Sequence, residues 1–266
     1  MTTFAARLLA GLFGAVLMFG QTESPVTGVG NFLHIVSDLD QSLAFYHDTL
    51  GLELRGPAGE HKFTDNPAVA NLYGVPGKQF RAVVLKVPGS ELGIELVQWE
   101  ARKPAHKPIP EPGAVTLILR VTDAAKAGKT LHDPDGFAVE MVQAQNPGAD
   151  LSVSVSDVAK TMALYTGVPG FKADGEWLDV PGSSVRIRWT KAKSAEGLNI
   201  PFPEPGRGML RLFVHNISAL TESLKGAGFS VITTGGEAVT LGQGPRAIIV
   251  RDPNNFYLQP MEPPVK

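Results

Sequence analysis

Two ionisable side chains interrupt segments of this sequence whose composition is typical of buried β-strands. His34 lies in the apolar segment 31–37, and Glu95 lies in the apolar segment 92–99. Side chains alternate between the two faces of a strand, so His34 shares its face with Phe32 and Val36. An ionisable group on an apolar face needs a partner. Imidazole and carboxylate both suit a divalent metal ion, which is one candidate for that partner.

The composition narrows the chemistry further. The 266-residue chain has no cysteine, so a thiol nucleophile and a zinc site with cysteine ligands are both excluded. The sequence contains no phosphate-binding loop, GxSxG elbow or HExxH motif, so hydrolase chemistry of those kinds has no support. The formal net charge is −2, whereas a nucleic-acid-binding domain usually has a basic face. We therefore expect no nucleic-acid partner.

The N-terminal residues have the pattern of an export signal. Arg7 precedes an uncharged apolar run over 8–20, and polar residues follow over 21–25. The run is short for a transmembrane helix, which needs about 20 residues. We predict a signal peptide over 1–24, a periplasmic or secreted protein, and no membrane span after signal removal. The alternatives are an uncleaved membrane anchor formed by 8–20 and a buried first helix.

The elements that must position His34 and Glu95 belong to an internal repeat. The segment VSDLDQSLAFY (36–46) matches VSDVAKTMALY (155–165) at an offset of 119 residues, and Asp133 matches Asp252 at the same offset. Between these matches, PEPG (110–113) recurs as PEPG (203–206) at an offset of 93. Two offsets imply four units. The first unit is then 26 residues longer than the third, and the second is 26 residues shorter than the fourth.

Local patterns predict the elements of the first unit. A strand over 31–37 ends in a Ser-Asp turn that can cap the helix predicted over 40–50. Gly51 stands where a C-cap glycine belongs, and strands are predicted over 81–87 and 92–99. The extra residues of the first unit fall at 61–79, which we interpret as a loop over a cavity. In the second unit, the shortening removes most of a helix and at least one strand.

These segments resemble a known family. FYHDTLGLEL (45–54), GIELVQW (93–99), HDPDGFAVEMVQ (132–143) and RDPNNFYLQPME (251–262) are similar to segments of the vicinal oxygen chelate superfamily. That superfamily includes glyoxalases, bleomycin-resistance proteins and extradiol dioxygenases. The resemblance covers about 29–262 and implies an α+β fold. Four tandem βαβββ units, the second truncated, would form two half-open, cup-shaped mixed sheets.

The resemblance also implies a division of the chain. One glyoxalase-like domain would span 29–144 and a second would span 150–263. The sequence leaves open whether the first unit pairs with the second unit or, by exchange, with the fourth.

In this family, each unit offers a metal ligand from its first strand and another from its last. In the first unit these positions fall on His34 and Glu95, and in the second unit on Thr116 and Glu140. The resemblance therefore implies a site for zinc, iron, manganese or nickel formed by His34, Glu95 and Glu140. Thr116 departs from the usual histidine or glutamine and is a poor ligand. Glu95 or Glu140 would also serve as the catalytic base.

The second half departs further from the family's pattern. Its first-strand positions hold Val153 and Met209, and its last-strand positions hold Arg188 and Gln259. No metal site of this type is expected there.

Two functions follow from these expectations. The first is an exported, metal-dependent enzyme, a lyase, isomerase or dioxygenase, that acts on a small substrate with vicinal oxygens. The alternative is a non-catalytic protein of the same fold that sequesters a small molecule. In the alternative, His34 is a hydrogen-bonded strand residue and the two glutamates line a polar pocket.

Overall fold

The computed structural model describes residues 24–56, 61–100, 112–193 and 202–264. The apolar run 8–20 lies outside these residues. Within the described ranges, no helix is long and apolar enough to cross a membrane.

The chain folds as four consecutive units. The first contains β1 (Val26–Ile35), α1 (Leu39–Leu43), a π-helical turn (Ala44–Thr49), β2 (Glu53–Leu54), α2 (Pro67–Leu72), β3 (Phe80–Lys86) and β4 (Gly93–Trp99). The second contains β5 (Val115–Val121), β6 (Lys129–His132) and β7 (Ala138–Gln143). The third contains β8 (Gly148–Val155), α3 (Val158–Thr166), β9 (Lys172–Asp174), β10 (Trp177–Asp179) and β11 (Arg186–Lys191). The fourth contains β12 (Gly208–Val214), α4 (Ile217–Gly226), β13 (Ser230–Val231), a 3-10 turn (Thr234–Gly236), β14 (Val239–Thr240), β15 (Arg246–Ala247), β16 (Val250–Arg251) and β17 (Tyr257–Glu262).

The repeated Ser-Asp turns begin helices, as their sequence predicts. The Asp38 carboxylate accepts hydrogen bonds from the first backbone amides of α1, and Asp157 does the same for α3. The helix predicted over 40–50 widens into a π-helical turn, in which the Leu50 amide donates to the Phe45 carbonyl at 3.0 Å. Gly51 follows it with a φ of +76°, the left-handed conformation that favours glycine.

The units pair by exchange. The first sheet joins the first and fourth units in the order β13-β16-β17-β12-β1-β4-β3-β2, with β15 also paired to β17 and β14 paired to β15. The second sheet joins the second and third units in the order β6-β7-β5-β8-β11-β10-β9. The joins are antiparallel: β1 lies beside β12, with Leu33 opposite Met209, and β5 lies beside β8, with Thr116 opposite Ser152. The α+β class and the mixed sheets predicted from the sequence are confirmed.

The length differences between the units fall where the offsets place them. In the second unit only turns connect β5 to β6, and its part of the sheet has three strands, one fewer than the path through the fourth unit. The 61–79 insertion contains α2, which packs against the fourth unit: the Thr233 hydroxyl donates to the Leu72 carbonyl at 3.1 Å. The insertion therefore packs on the fourth unit, and the second unit's part of the sheet remains one strand shorter.

Each sheet has one face in a core shared by both sheets and one face turned away from it. In β1, Phe32 and Val36 belong to the shared core, whereas Leu33 and Ile35 belong to a second apolar cluster that includes α2. We call the face of the first sheet that carries Leu33 the first cup. The face of the second sheet opposite the shared core, which carries Thr116 and Glu140, is the second cup.

Candidate functional site

The structure does not bring the three predicted metal ligands together. His34 lies on the shared-core face of the first sheet, and Glu95 lies in the first cup. Glu140 lies in the second cup, on the other sheet. Because units pair by exchange, no cup contains ligands from both the first and second units. His34, Glu95 and Glu140 therefore do not form the metal site predicted from the sequence.

The misplacement of His34 has a simple cause. Thr116 lies five residues before Val121 of the repeat, whereas His34 lies only two residues before the matching Val36. These separations of five and two residues differ by an odd number, so they select opposite faces of equivalent strands. Counting five residues before Val36 gives Asn31, which does lie in the first cup.

A polar network lies at the floor of the first cup. The Asn31 side-chain amide donates to Glu95 Oε2 at 2.9 Å, and Arg211 Nη1 lies 3.0 Å from the same oxygen. Arg211 Nε donates to Gln259 Oε1 at 2.6 Å. Gln259 is buried, while the side chains of Glu95 and Arg211 are 17 % and 15 % exposed. The guanidinium therefore connects Glu95 of the first unit to Gln259 of the fourth, and both charged side chains are partly exposed.

A cluster of aromatic side chains packs on the same side of the first sheet. The Tyr73 ring lies 5.1 Å from the Trp99 ring and stacks on Phe202 at 5.6 Å, and Phe202 stacks on Tyr257 at 4.6 Å. Burial raises the pKa of the Tyr73 phenol, the nearby Glu95 raises it further, and Arg211 lowers it. The phenol therefore lies within electrostatic reach of both charged groups. Because Tyr73 directly follows α2, the insertion supplies part of this buried aromatic cluster.

The second cup contains a different set of charge pairs. Arg188 Nη2 lies 3.0 Å from Glu140 Oε2, and Arg120 Nε lies 3.5 Å from Asp150 Oδ2. The guanidinium groups of Arg186 and Arg188 lie 4.5 and 5.5 Å from the centre of the Trp177 ring. Glu140 and Asp150 are therefore each paired with an arginine, as Glu95 is in the first cup.

His34 takes part in a buried network between the sheets. Its Nε2 lies 2.7 Å from Asp133 Oδ2, and its Nδ1 lies 3.2 Å from the Arg207 carbonyl oxygen. The Tyr46 hydroxyl donates to the same Asp133 oxygen at 3.3 Å. Burial lowers the pKa of His34, but the charge and hydrogen bond of Asp133 outweigh burial and leave it raised. Burial likewise raises the pKa of Asp133, and the charge of His34 turns the net shift downwards.

Asp135 completes this cluster. It belongs to the same turn as Asp133, and its Oδ2 accepts a hydrogen bond from the Ser37 amide at 2.9 Å. His34, Asp133 and Asp135 each offer a ligand atom within 4.8 Å of the others, and they are the one such group of three in the described residues. These three buried side chains could hold a metal ion. Neither aspartate is among the ligands that the family pattern implies, although both belong to the DPD segment that carries the resemblance.

Two sequence segments match a single family model. Residues 28–141 and 149–259 both match the model of the Glyoxalase/Bleomycin resistance protein/Dioxygenase superfamily. The chain belongs to this superfamily. Among curated protein sequences, none matches the chain.

Solved structures show the same fold. Glyoxalase I from Zea mays is 14 % identical, with 90 % of this chain and 92 % of that chain covered and a TM-score of 0.60. The cppA protein from Streptococcus pneumoniae TIGR4 is 10 % identical, with 90 % and 98 % covered and a TM-score of 0.50. At these identities the comparisons establish the fold.

Members of the superfamily commonly bind divalent metals, but the residues of the two cups do not fit one. In the first cup, the Glu95 carboxylate and the Gln259 amide oxygen are both bound by the Arg211 guanidinium. Arginine is always charged and has no acceptor atom, so it repels a cation. In the second cup, Arg188 occupies Glu140 in the same way. A fixed positive charge stands beside each carboxylate that the family pattern would assign to a metal.

Proposed function

We propose that this chain is a small-molecule-binding protein of the superfamily and that its ligand binds in the first cup over the Glu95–Arg211 pair. The observation that carries the proposal is the position of the Arg211 guanidinium, 3.0 Å from Glu95 and 2.6 Å from Gln259. An arginine side chain there provides positive charge without a metal. Of the two functions that the sequence suggests, the donor set of the cups favours the binding protein.

The free atoms of this pair indicate the chemistry of the ligand. A guanidinium has five N–H donors, and the contacts to Glu95 and Gln259 use two of them. Both described contacts of Glu95 fall on its Oε2, which leaves Oε1 able to accept a hydrogen bond. A ligand with an anionic oxygen and an adjacent hydroxyl would satisfy Arg211 and Glu95 together. Among the neighbouring aromatic side chains, Phe202 is only partly buried, and its ring could pack against a flat apolar body beside those oxygens.

Salicylate tests this proposal because it combines a carboxylate, an adjacent hydroxyl and an aromatic ring. In titration calorimetry, we expect the wild-type protein to bind salicylate more tightly than benzoate, which lacks the hydroxyl that faces Glu95. Arg211→Met should weaken salicylate binding about 10-fold or more, because a hydrogen bond to a charged group is worth about 1.5–3 kcal/mol.

The matched control is Arg246→Met. Arg246 is a more exposed arginine whose Nη1 lies 3.2 Å from Glu262 Oε2, so its loss removes the same charge from the surface. Equal affinities in the wild type and the Arg211→Met variant would refute the assignment of the first cup. A wild type that binds neither probe would also count against it.

We also propose that the protein is exported. The proposal rests on Arg7, the apolar run 8–20 and the polar residues after it.

Cell fractionation with N-terminal sequencing tests export. We expect a mature chain that begins between Gln21 and Val26 and is found outside the cytosol. Full-length protein in the cytosol would contradict export, and full-length protein in the membrane would indicate the uncleaved anchor instead.

A further inference from the structure

The repeat provides an internal comparison for the buried cluster around His34. The Asp133, Asp135, Ser42 and Tyr46 of the first half correspond to Asp252, Asn254, Thr161 and Tyr165 of the second, and His34 corresponds to Val153. Both turns are built alike. Asp133 Oδ1 accepts hydrogen bonds from the amides of Asp135 and Phe137, as Asp252 Oδ1 does from Asn254 and Phe256.

The two versions differ in how their polar atoms are satisfied. In the second half, Asn254 Nδ2 donates to the Thr161 hydroxyl at 2.9 Å, and Asn254 Oδ1 accepts from the Ser156 amide at 3.0 Å. In the first half, Asp135 Oδ1 and the Ser42 hydroxyl are both buried without a hydrogen-bond partner in the described residues. An unpartnered carboxylate oxygen is costly to bury, because ionised groups lose strong hydration. Compared with the second half, the first half therefore has an additional carboxylate, that of Asp135, close to an additional histidine, His34.

We propose that His34, Asp133 and Asp135 bind a divalent transition-metal ion between the two sheets. The ligand atoms are His34 Nε2 and one carboxylate oxygen from each aspartate, with Asp135 Oδ1 available for this purpose. A histidine nitrogen and carboxylate oxygens suit zinc and manganese. This site is separate from both cups and does not depend on the ligand proposed for the first cup.

The surroundings of the cluster orient the ligands as the outer shell of a metal site does. The Nδ1 of His34 faces the Arg207 carbonyl oxygen at 3.2 Å, which directs Nε2 towards the aspartates. A metal-bound histidine commonly donates its other N–H in this way. Asp133 is held by two backbone amides and the Tyr46 hydroxyl. The present 2.7 Å between His34 Nε2 and Asp133 Oδ2 is a hydrogen bond, and two ligands of a tetrahedral ion lie about 3.3 Å apart. Metal binding needs this pair to open slightly, the Asp135 oxygen to approach from within 4.8 Å, and the proton between His34 and Asp133 to leave.

The second half supplies the variants that test the site. His34→Val and Asp135→Asn each introduce the residue that the second half carries at the same place, so both should fold. After chelator treatment, the wild type should bind about one equivalent of Zn²⁺ or Mn²⁺ in titration calorimetry. His34→Val should weaken this binding about 100-fold and Asp135→Asn about 10-fold or more, since even outer partners of metal ligands contribute 10- to 100-fold.

His132→Ala is the control, because His132 is an exposed histidine next to Asp133 and should bind metal no differently from the wild type. Cobalt substitution gives a second readout, with absorption bands of a histidine- and carboxylate-bound ion in the wild type and none in His34→Val. The site is refuted if the wild type binds neither Zn²⁺ nor Mn²⁺. Binding that survives both His34→Val and Asp135→Asn unchanged would refute it equally.

Discussion

Asp133→Ala should lower the free energy of unfolding by about 3–5 kcal/mol in the presence of a chelator, the usual cost of removing one partner of a buried ion pair. His34 and Asp133 both have fully buried side chains. Without the carboxylate, the raised pKa of His34 returns towards the low value that burial favours, and its Nε2 is left without an acceptor. The variant also loses the hydrogen bonds that the Asp135 and Phe137 amides donate. Urea unfolding at pH 7 measures the loss.

Asp252→Ala is the matched control for this prediction. It removes the same two backbone contacts and the hydrogen bond from the Tyr165 hydroxyl at 3.1 Å. It leaves no buried histidine behind, because Val153 occupies the place of His34. The decrease in the free energy of unfolding should therefore be clearly smaller for Asp252→Ala than for Asp133→Ala. Equal losses would contradict the buried His34–Asp133 ion pair as the source of the difference.

Asp252→Asn should gain about 3 kcal/mol of stability relative to the wild type as the pH rises from about 4 to 7, since each pKa unit corresponds to about 1.4 kcal/mol. Burial raises the pKa of Asp252 to about 6, and the hydrogen bonds that it accepts from Phe256, Asn254 and Tyr165 only partly offset burial. Asparagine keeps an oxygen for the two amides, and the Tyr165 hydroxyl can accept from its nitrogen.

The sign of this effect follows from the two states. The unfolded chain has an aspartate pKa of about 3.9, so between about pH 4 and 6 the folded protein binds the proton more tightly. Wild-type stability therefore falls across this window as the carboxyl ionises, and the asparagine variant lacks this loss. Urea unfolding at several pH values provides the difference curve. A difference independent of pH would contradict the raised pKa of Asp252.

Much of the fold is predictable from the repeat. The match of 36–46 to 155–165 and the two offsets predict four units, and the Ser-Asp turns predict the beginnings of α1 and α3. The exchange of units is not predictable in this way. Each unit carries the same kind of first strand, so β1 can pair with either β5 or β12 on local pattern alone. The choice depends on packing across the whole shared core.

The candidate site was less predictable. The family pattern points to Glu95, which lies in the first cup, but its partner Arg211 lies on a strand of the fourth unit, 116 positions further along the sequence. Alternation from Met209 places Arg211 on the same face, and that signal gains meaning only when the exchange is known. His34 does share its strand face with Phe32 and Val36, but that face is turned to the shared core, whereas Glu95 lies in the first cup.

The two cups and the buried cluster suggest a division of roles. In both cups an arginine neutralises the carboxylate that the family pattern would give to a metal, whereas the buried cluster has one carboxylate more than its histidine can neutralise. We therefore propose an organic ligand for the first cup and a metal ion for the space between the sheets.

The most direct test of organic-ligand binding in the first cup is a crystal structure of the protein with salicylate and Mn²⁺, measured at the manganese absorption edge. We expect salicylate in the first cup, with its carboxylate within about 3 Å of the Arg211 guanidinium, and no anomalous peak beside Glu95 or Glu140. A manganese ion coordinated by Glu95, with Arg211 displaced, would contradict ligand binding over the Glu95–Arg211 pair. It would make the metal-dependent enzyme the better hypothesis.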